Sequence, residues 1–146
     1  MRMNPGNGLK SYRQISLETA PPGNLVLMLY DGALRFLGQA RAGFDLEDPL
    51  ERNQTIHNNV VKTQNILEEL GITLNLEAGG ELAETLRDLY LYMGGRLMES
   101  NFNKDPEGID EVLERLSVIR DAWATMLEQP VEGSGNGDLT LSGAVG

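Results

Sequence analysis

Residues 24–40 read NLVLMLYDGALRFLGQA. An unbroken apolar run from Leu25 to Tyr30 is followed by Ala33, Leu34, Phe36 and Leu37, with polar residues between, and this spacing predicts a helix. Projected at about 100° per residue, Leu25, Val26, Leu29, Ala33, Phe36, Leu37, Ala40 and Phe44 share one broad arc, the expected core face. Tyr30 falls at the edge of that arc. Leu27 and Leu34 lie roughly 140° from its centre, in line with each other, and Asp31 lies close to the line between them. The helix is therefore apolar on two sides, and the second side needs an occupant or a cover.

Working outward, three more segments carry helical spacing, and the residues between them punctuate clearly. Pro21-Pro22-Gly23 precedes the first helix, while Asp48-Pro49 and Asp105-Pro106 each read as an N-cap followed by proline at the first helical position. Leu70-Gly71 is expected to end the second helix and Gly79-Gly80 to precede the third. The predicted helices span 22–46, 49–70, 80–103 and 106–128, and no segment alternates with period two. Short connections between the first two and the last two force antiparallel neighbours, so the expected fold is all-α, an antiparallel up-and-down four-helix bundle. Leu9 to Ser16 adds a short N-terminal helix or arm. Residues 1–8 and the Gly/Ser-rich 129–146 are expected to be disordered on either side of one domain, 9–128.

The other wheels sort in the same way. The second helix shows a narrow stripe of Ile56, Val60, Thr63, Leu67 and Leu70, and the fourth shows one face of Ile109, Val112, Leu113, Leu116, Ile119, Trp123 and Leu127, with Val118 off it. In the third, Leu82, Leu86, Leu89, Met93 and Leu97 form the expected core face, whereas Leu91, Met98 and Phe102 gather on the opposite side. Scattered exposed leucines are ordinary in soluble proteins. Aligned sets on two helices are less so, because i, i+7 anchors of this kind build the grooves that accept amphipathic helices, and the flexible thioether of Met98 suits such a surface.

Composition limits the partners. The 146 residues hold 12 basic and 22 acidic side chains, a net charge of -10, which disfavours nucleic acid and anionic membranes. Cysteine is absent, so disulfides and thiolate metal sites are excluded. The start MRMNPGNGLK has no apolar core of signal-peptide length and no run reaches the roughly 20 apolar residues of a membrane span, so cytoplasm is the expected compartment. The single histidine, His57, cannot supply the paired Glu-x-x-His ligands of a di-metal bundle. As a phosphoryl acceptor it would want a cation close behind it, yet Asn58-Asn59 follow and Lys62 is five positions on. No P-loop, dinucleotide fingerprint or zinc spacing occurs. A binding protein without cofactor or metal is expected, not an enzyme; a histidine phosphotransfer domain and a general helix-binding adaptor are the alternatives.

With these motifs placed, the chain resembles the flagellar secretion chaperone family, FliS, over about residues 9–128. The matching words are SYRQISLETAPP, LVLMLYDGALRFLGQA, TLNLEAGGELAETLRDLYLYM with its RLMESN continuation, and LSVIRDAW, in order along the domain. The resemblance implies a helical bundle that binds the C-terminal region of newly made flagellin in the bacterial cytosol, prevents premature polymerisation and assists delivery to the flagellar type III export gate when loaded. It leaves open whether the free chaperone forms a homodimer. Carried onto this chain, it makes Leu27 and Leu34 apolar anchors and Asp31 a polar clamp, with Tyr30 beside them. Leu91, Met98 and Phe102 join the partner-binding set. Leu9 and Tyr12, in LKSYRQ, belong to an arm that covers the groove or meets the export machinery.

Two departures stand out. Family members tend to carry Ser-Pro where this chain has Pro21-Pro22, which loses a side-chain cap. They often read Tyr-Asp-Tyr-Met followed by two basic residues, where this chain reads Tyr90-Leu91-Tyr92-Met93-Gly94-Gly95-Arg96. Adjacent glycines inside a helix cost roughly 1 kcal/mol each relative to alanine. They are expected either to let a partner backbone approach closely or to bend the third helix.

Overall fold

A computed structural model of the chain describes residues 22–74 and 76–128, with the side chains of residues 22 and 76–78 left aside. Leu9 and Tyr12, the proposed arm and both expected disordered ends lie outside the described residues. Among the described residues four helices follow one another: α1 Pro22–Gly43, α2 Pro49–Thr73, α3 Leu76–Asn103 and α4 Glu107–Glu128. Helix α1 packs on α2 and α4, and α3 packs on the same two, so α1 and α3 stand diagonally across a four-helix bundle. The all-α bundle is as the sequence predicts, and the described residues contain no strand.

The caps explain most of the boundaries. Asp48 accepts a hydrogen bond from the Glu51 amide at 2.8 Å and Pro49 follows it, the expected start of α2. Asp105 accepts from the Glu107 amide at 3.0 Å and opens α4 in the same manner. Helix α1 stops at Gly43, short of the predicted 46, because residues 44–46 tighten into turns in which each amide bonds the carbonyl three residues back. Conversely, α2 runs through Gly71 to Thr73, where the Thr73 hydroxyl bonds the Leu70 carbonyl at 2.7 Å. The Gly79-Gly80 signal marks a real break, since Gly80 has φ 59° and ψ -134°, but one helical turn precedes it. At the far end of α3, Lys104 takes φ 52°, and the amides of Asp105 and Lys104 bond the carbonyls of Ser100 and Asn101. That is a Schellman ending with lysine where glycine is usual.

The core follows a heptad seam, and this corrects the straight-helix projection. In α3 the buried side chains are Ala83, Tyr90 and Leu97 at seven-residue spacing, with Met93 between the last two and Ser100 beyond them, whereas Leu82 is 49% exposed and Leu89 only half-buried. An ideal 3.6-residue wheel drifts by about 20° per heptad relative to a supercoiled bundle, so it selected flanking leucines in place of Ala83 and Tyr90. In α1 the same seam runs through Val26, Tyr30, Ala33, Leu37 and Ala40. Tyr30, expected at the edge, is fully buried. Leu127, at the C-terminal end of α4, is more exposed than its predicted core position requires.

Tyr30 joins the two diagonal helices through the middle. Its hydroxyl lies 2.6 Å from that of Tyr90, and burial pushes both phenols above their ordinary pKa. The Trp123 ring meets Tyr30 edge-on at 6.4 Å, and its indole N–H donates to the Gly23 carbonyl at 2.9 Å. Where α3 crosses α4, the backbones come close at Gly108. A Cβ there would sit 2.6 Å from Ser100 Oγ and 2.9 Å from the Arg96 carbonyl oxygen.

Candidate functional site

The outer side of α3 carries three large exposed apolar residues: Leu91 at 68%, Met98 at 62% and Phe102 at 87% exposure. All three face away from the core, as the sequence predicts. Beside them, between α2 and α3, runs a groove of about 580 Å³. Leu67 and Tyr90 line it together with Leu91, Met98, Ile72 and three glycines, Gly71, Gly94 and Gly95. A second depression of about 610 Å³ continues over Tyr92, Phe102 and Asn103 and shares Leu91, Gly95 and Met98 with the first. The two form one apolar surface along α3.

The glycine pair does not bend α3, because Gly80 is the one position in that helix with non-helical backbone angles. The Gly94 carbonyl accepts a hydrogen bond from Gln64 Nε2 at 3.3 Å, which ties α2 to the groove floor. A Cβ at Gly94 or Gly95 would meet nothing within 4 Å, so the glycines lower the floor although no packing inside the bundle requires the missing side chains. Replacing both with alanine is expected to raise stability by about 1 kcal/mol per site, read by thermal denaturation. Unchanged affinity for the partner in the more stable protein would exclude the idea that a partner backbone approaches there.

The α1 set is arranged differently. Leu27 and Leu34 are half-buried and pack against the core. Asp31 accepts from Arg120 Nε at 2.7 Å, an ion pair to α4. It is a clamp within the bundle, where the sequence suggested one toward a partner. Tyr30, fully buried, offers no contact surface, which corrects its place in the partner-binding set. Because α1 and α3 are diagonal, the Leu27/Leu34 line and the Leu91/Met98/Phe102 line do not meet. The structure assembles a groove from α2 and α3 in their place. Ile72, 54% exposed, and Gly71 were missed because nothing in a single-helix projection pairs the end of α2 with the middle of α3.

Polar clusters flank this surface. Glu111 on α4 accepts from the Tyr92 hydroxyl at 2.6 Å, Arg96 Nε at 2.8 Å and Arg115 Nε at 2.9 Å. Those three donors, Tyr92 first, hold its carboxyl down at about pKa 2. The network fixes α3 against α4, and Tyr92 and Arg96 also line the second depression. His57 is exposed, and its Nδ1 lies 2.9 Å from Asn101 Nδ2. Lys62, the cation that phosphotransfer would call on, stands 5.3 Å over the Phe36 ring instead. Among the described residues no helix is long and apolar enough to cross a membrane, and no cluster of acidic or histidine side chains could hold a metal.

Comparison with known proteins covers the whole bundle. The family model described as flagellar protein FliS matches residues 5–130. The flagellar secretion chaperone FliS of Bacillus subtilis is 36% identical over 122 residues, 84% of this chain and 87% of that protein. The FliS of Salmonella typhimurium is 36% identical over 126 residues, 83% of this chain and 90% of that protein. FliSB of Pseudomonas aeruginosa is 36% identical over 119 residues, covering 79% and 91%. With the match spanning all four helices and the grooved face of α3, the chain belongs to the FliS family, a family of flagellar secretion chaperones and not of enzymes.

Proposed function

We propose that this protein binds the C-terminal region of flagellin in the bacterial cytosol, keeps subunits from polymerising early and assists their delivery to the flagellar export gate when loaded. The observation that carries the reading is the exposed line of Leu91, Met98 and Phe102 beside the α2–α3 groove. Such a surface accepts the apolar face of an amphipathic helix, and it uses neither nucleotide nor metal. Flagellin's terminal regions are disordered in the free subunit and helical in the filament. Ordering one of them on the chaperone hides the face that self-associates, while the entropy cost of ordering keeps the complex releasable.

The bundle supports this role by being rigid where it must not respond. Tyr30, Tyr90 and Trp123 lock the interior, and the Glu111 network locks α3 to α4, so the occupant meets a preformed wall. The half-buried Leu27 and Leu34 on the diagonal helix contribute to the partner surface only at their exposed edges, and α3 carries the main contact. Titrating the full chain with the native flagellin C-terminal segment tests the reading. Saturable binding with a negative heat-capacity change is expected, since apolar area is buried; no binding overturns it.

A further inference from the structure

Leu91, Gly94, Gly95 and Met98 stand at i, i+3, i+4 and i+7 of α3, the four positions that frame a hole for a side chain from a neighbouring helix. On α2, Gln64, Leu67, Glu68 and Gly71 repeat the same spacing. All eight residues line the one groove. Within the bundle, holes of this kind are filled along the buried heptad seams, which use Ala83, Tyr90, Met93 and Leu97 on α3 and Ile56, Val60, Thr63 and Leu70 on α2. The two outer frames lie beside those seams: they share the buried Leu67 with the α2 seam, and the Gln64 side chain reaches across to the Gly94 carbonyl.

They also differ in chemistry. In the α3 frame both lateral positions are glycine, so the hole between Leu91 and Met98 is oversized, and at Gly71, Gly94 and Gly95 a Cβ would find open space. A hole widened in this way takes a leucine, methionine or phenylalanine, where an ordinary outer frame would be shallow. In the α2 frame Glu68 is exposed and makes no ion pair with any described residue, in a chain whose net charge is -10; Arg87, which lines the same groove, pairs with Asp88 at 3.2 Å. Its carboxylate is placed to meet a cation on whatever fills the groove.

The geometry points to one occupant: an amphipathic helix that seats a large apolar side chain between Leu91 and Met98 over Gly94-Gly95 and presents a lysine or arginine to Glu68. This rests on the reading of the groove as the flagellin-binding surface, and it specifies what the bound segment carries there. Size at the glycine hole and charge at Glu68 then act as the selecting features.

A bump-and-hole experiment tests it. The full chain, Gly95→Leu and Glu68→Lys are titrated with the flagellin C-terminal segment and with an alanine scan of that segment. Filling the hole is expected to weaken the parent segment about tenfold. One Leu, Met or Phe→Ala peptide, itself weaker on the wild type, is expected to bind Gly95→Leu better than the parent does. Glu68→Lys is expected to weaken binding about threefold at low salt, with the difference fading as salt screens it. Gly95→Leu should melt no lower than the wild type, because a Cβ there meets nothing within 4 Å and leucine favours helix over glycine. If both variants bind the parent within twofold of wild type, the hole is not the seat, whereas the flagellin reading stands. If the wild type ignores the segment, that reading falls. A designed helix with leucines at heptad spacing flanked by lysines then decides the inference: tenfold weaker binding to Gly95→Leu supports it, and equal or absent binding to both overturns it.

Discussion

Met98→Asp is expected to weaken binding of the flagellin C-terminal segment about a hundredfold while leaving the helical circular dichroism intact. Met98 is 62% exposed and belongs to both depressions along α3, so no part of the bundle depends on it. An occupant lying over it would lose about 1.5–3 kcal/mol of apolar burial, and the introduced carboxylate would have to be stripped of water or left facing an apolar helix. The loss should therefore appear in affinity and not in melting temperature. Leu34→Asp provides the contrast. Leu34 is half-buried against the core, so its replacement is expected to lower stability as well as binding. Equal affinity for Met98→Asp and wild type in calorimetry would show that the partner uses another face.

The second large effect concerns the bundle itself. Gly108→Val is expected to cost about 2–3 kcal/mol and lower the melting temperature by roughly 10 °C. Even a single Cβ at this position would stand 2.9 Å from the Arg96 carbonyl oxygen, a backbone atom that cannot swing aside, and 2.6 Å from Ser100 Oγ. Relief requires α4 to move off α3. That movement would pull on the Arg96–Glu111 ion pair one turn away. Gly23 makes a useful control, because the clash there is with the end of the Leu127 side chain, which can rotate. Gly23→Ala is expected to cost much less in the same melt.

The helices were legible because their signals are local. Asp48-Pro49 and Asp105-Pro106 announced their caps, and the leucine spacing announced four amphipathic segments. What the projection could not give was the phase of the seam, since a 3.6-residue wheel ignores supercoiling. Tyr30 therefore read as an edge residue and Tyr90 was not placed on the core face, though each is buried and they are bonded to each other across the core. The partner of Asp31, Arg120, lies 89 residues away in sequence, and no local rule links them. The exposed α3 residues were visible as an off-face set. The groove beside them was not, because half of it comes from the end of α2, where Gly71 looked like a terminator and proved to be part of the wall.

The central claim is that the α2–α3 surface holds flagellin by its C-terminal region, and one measurement addresses it most directly: calorimetric titration of the full chain with intact native flagellin and with flagellin lacking that region. Tight one-to-one binding of the intact subunit, lost on truncation, is the predicted result. Truncated flagellin binding as tightly as the intact subunit would contradict it.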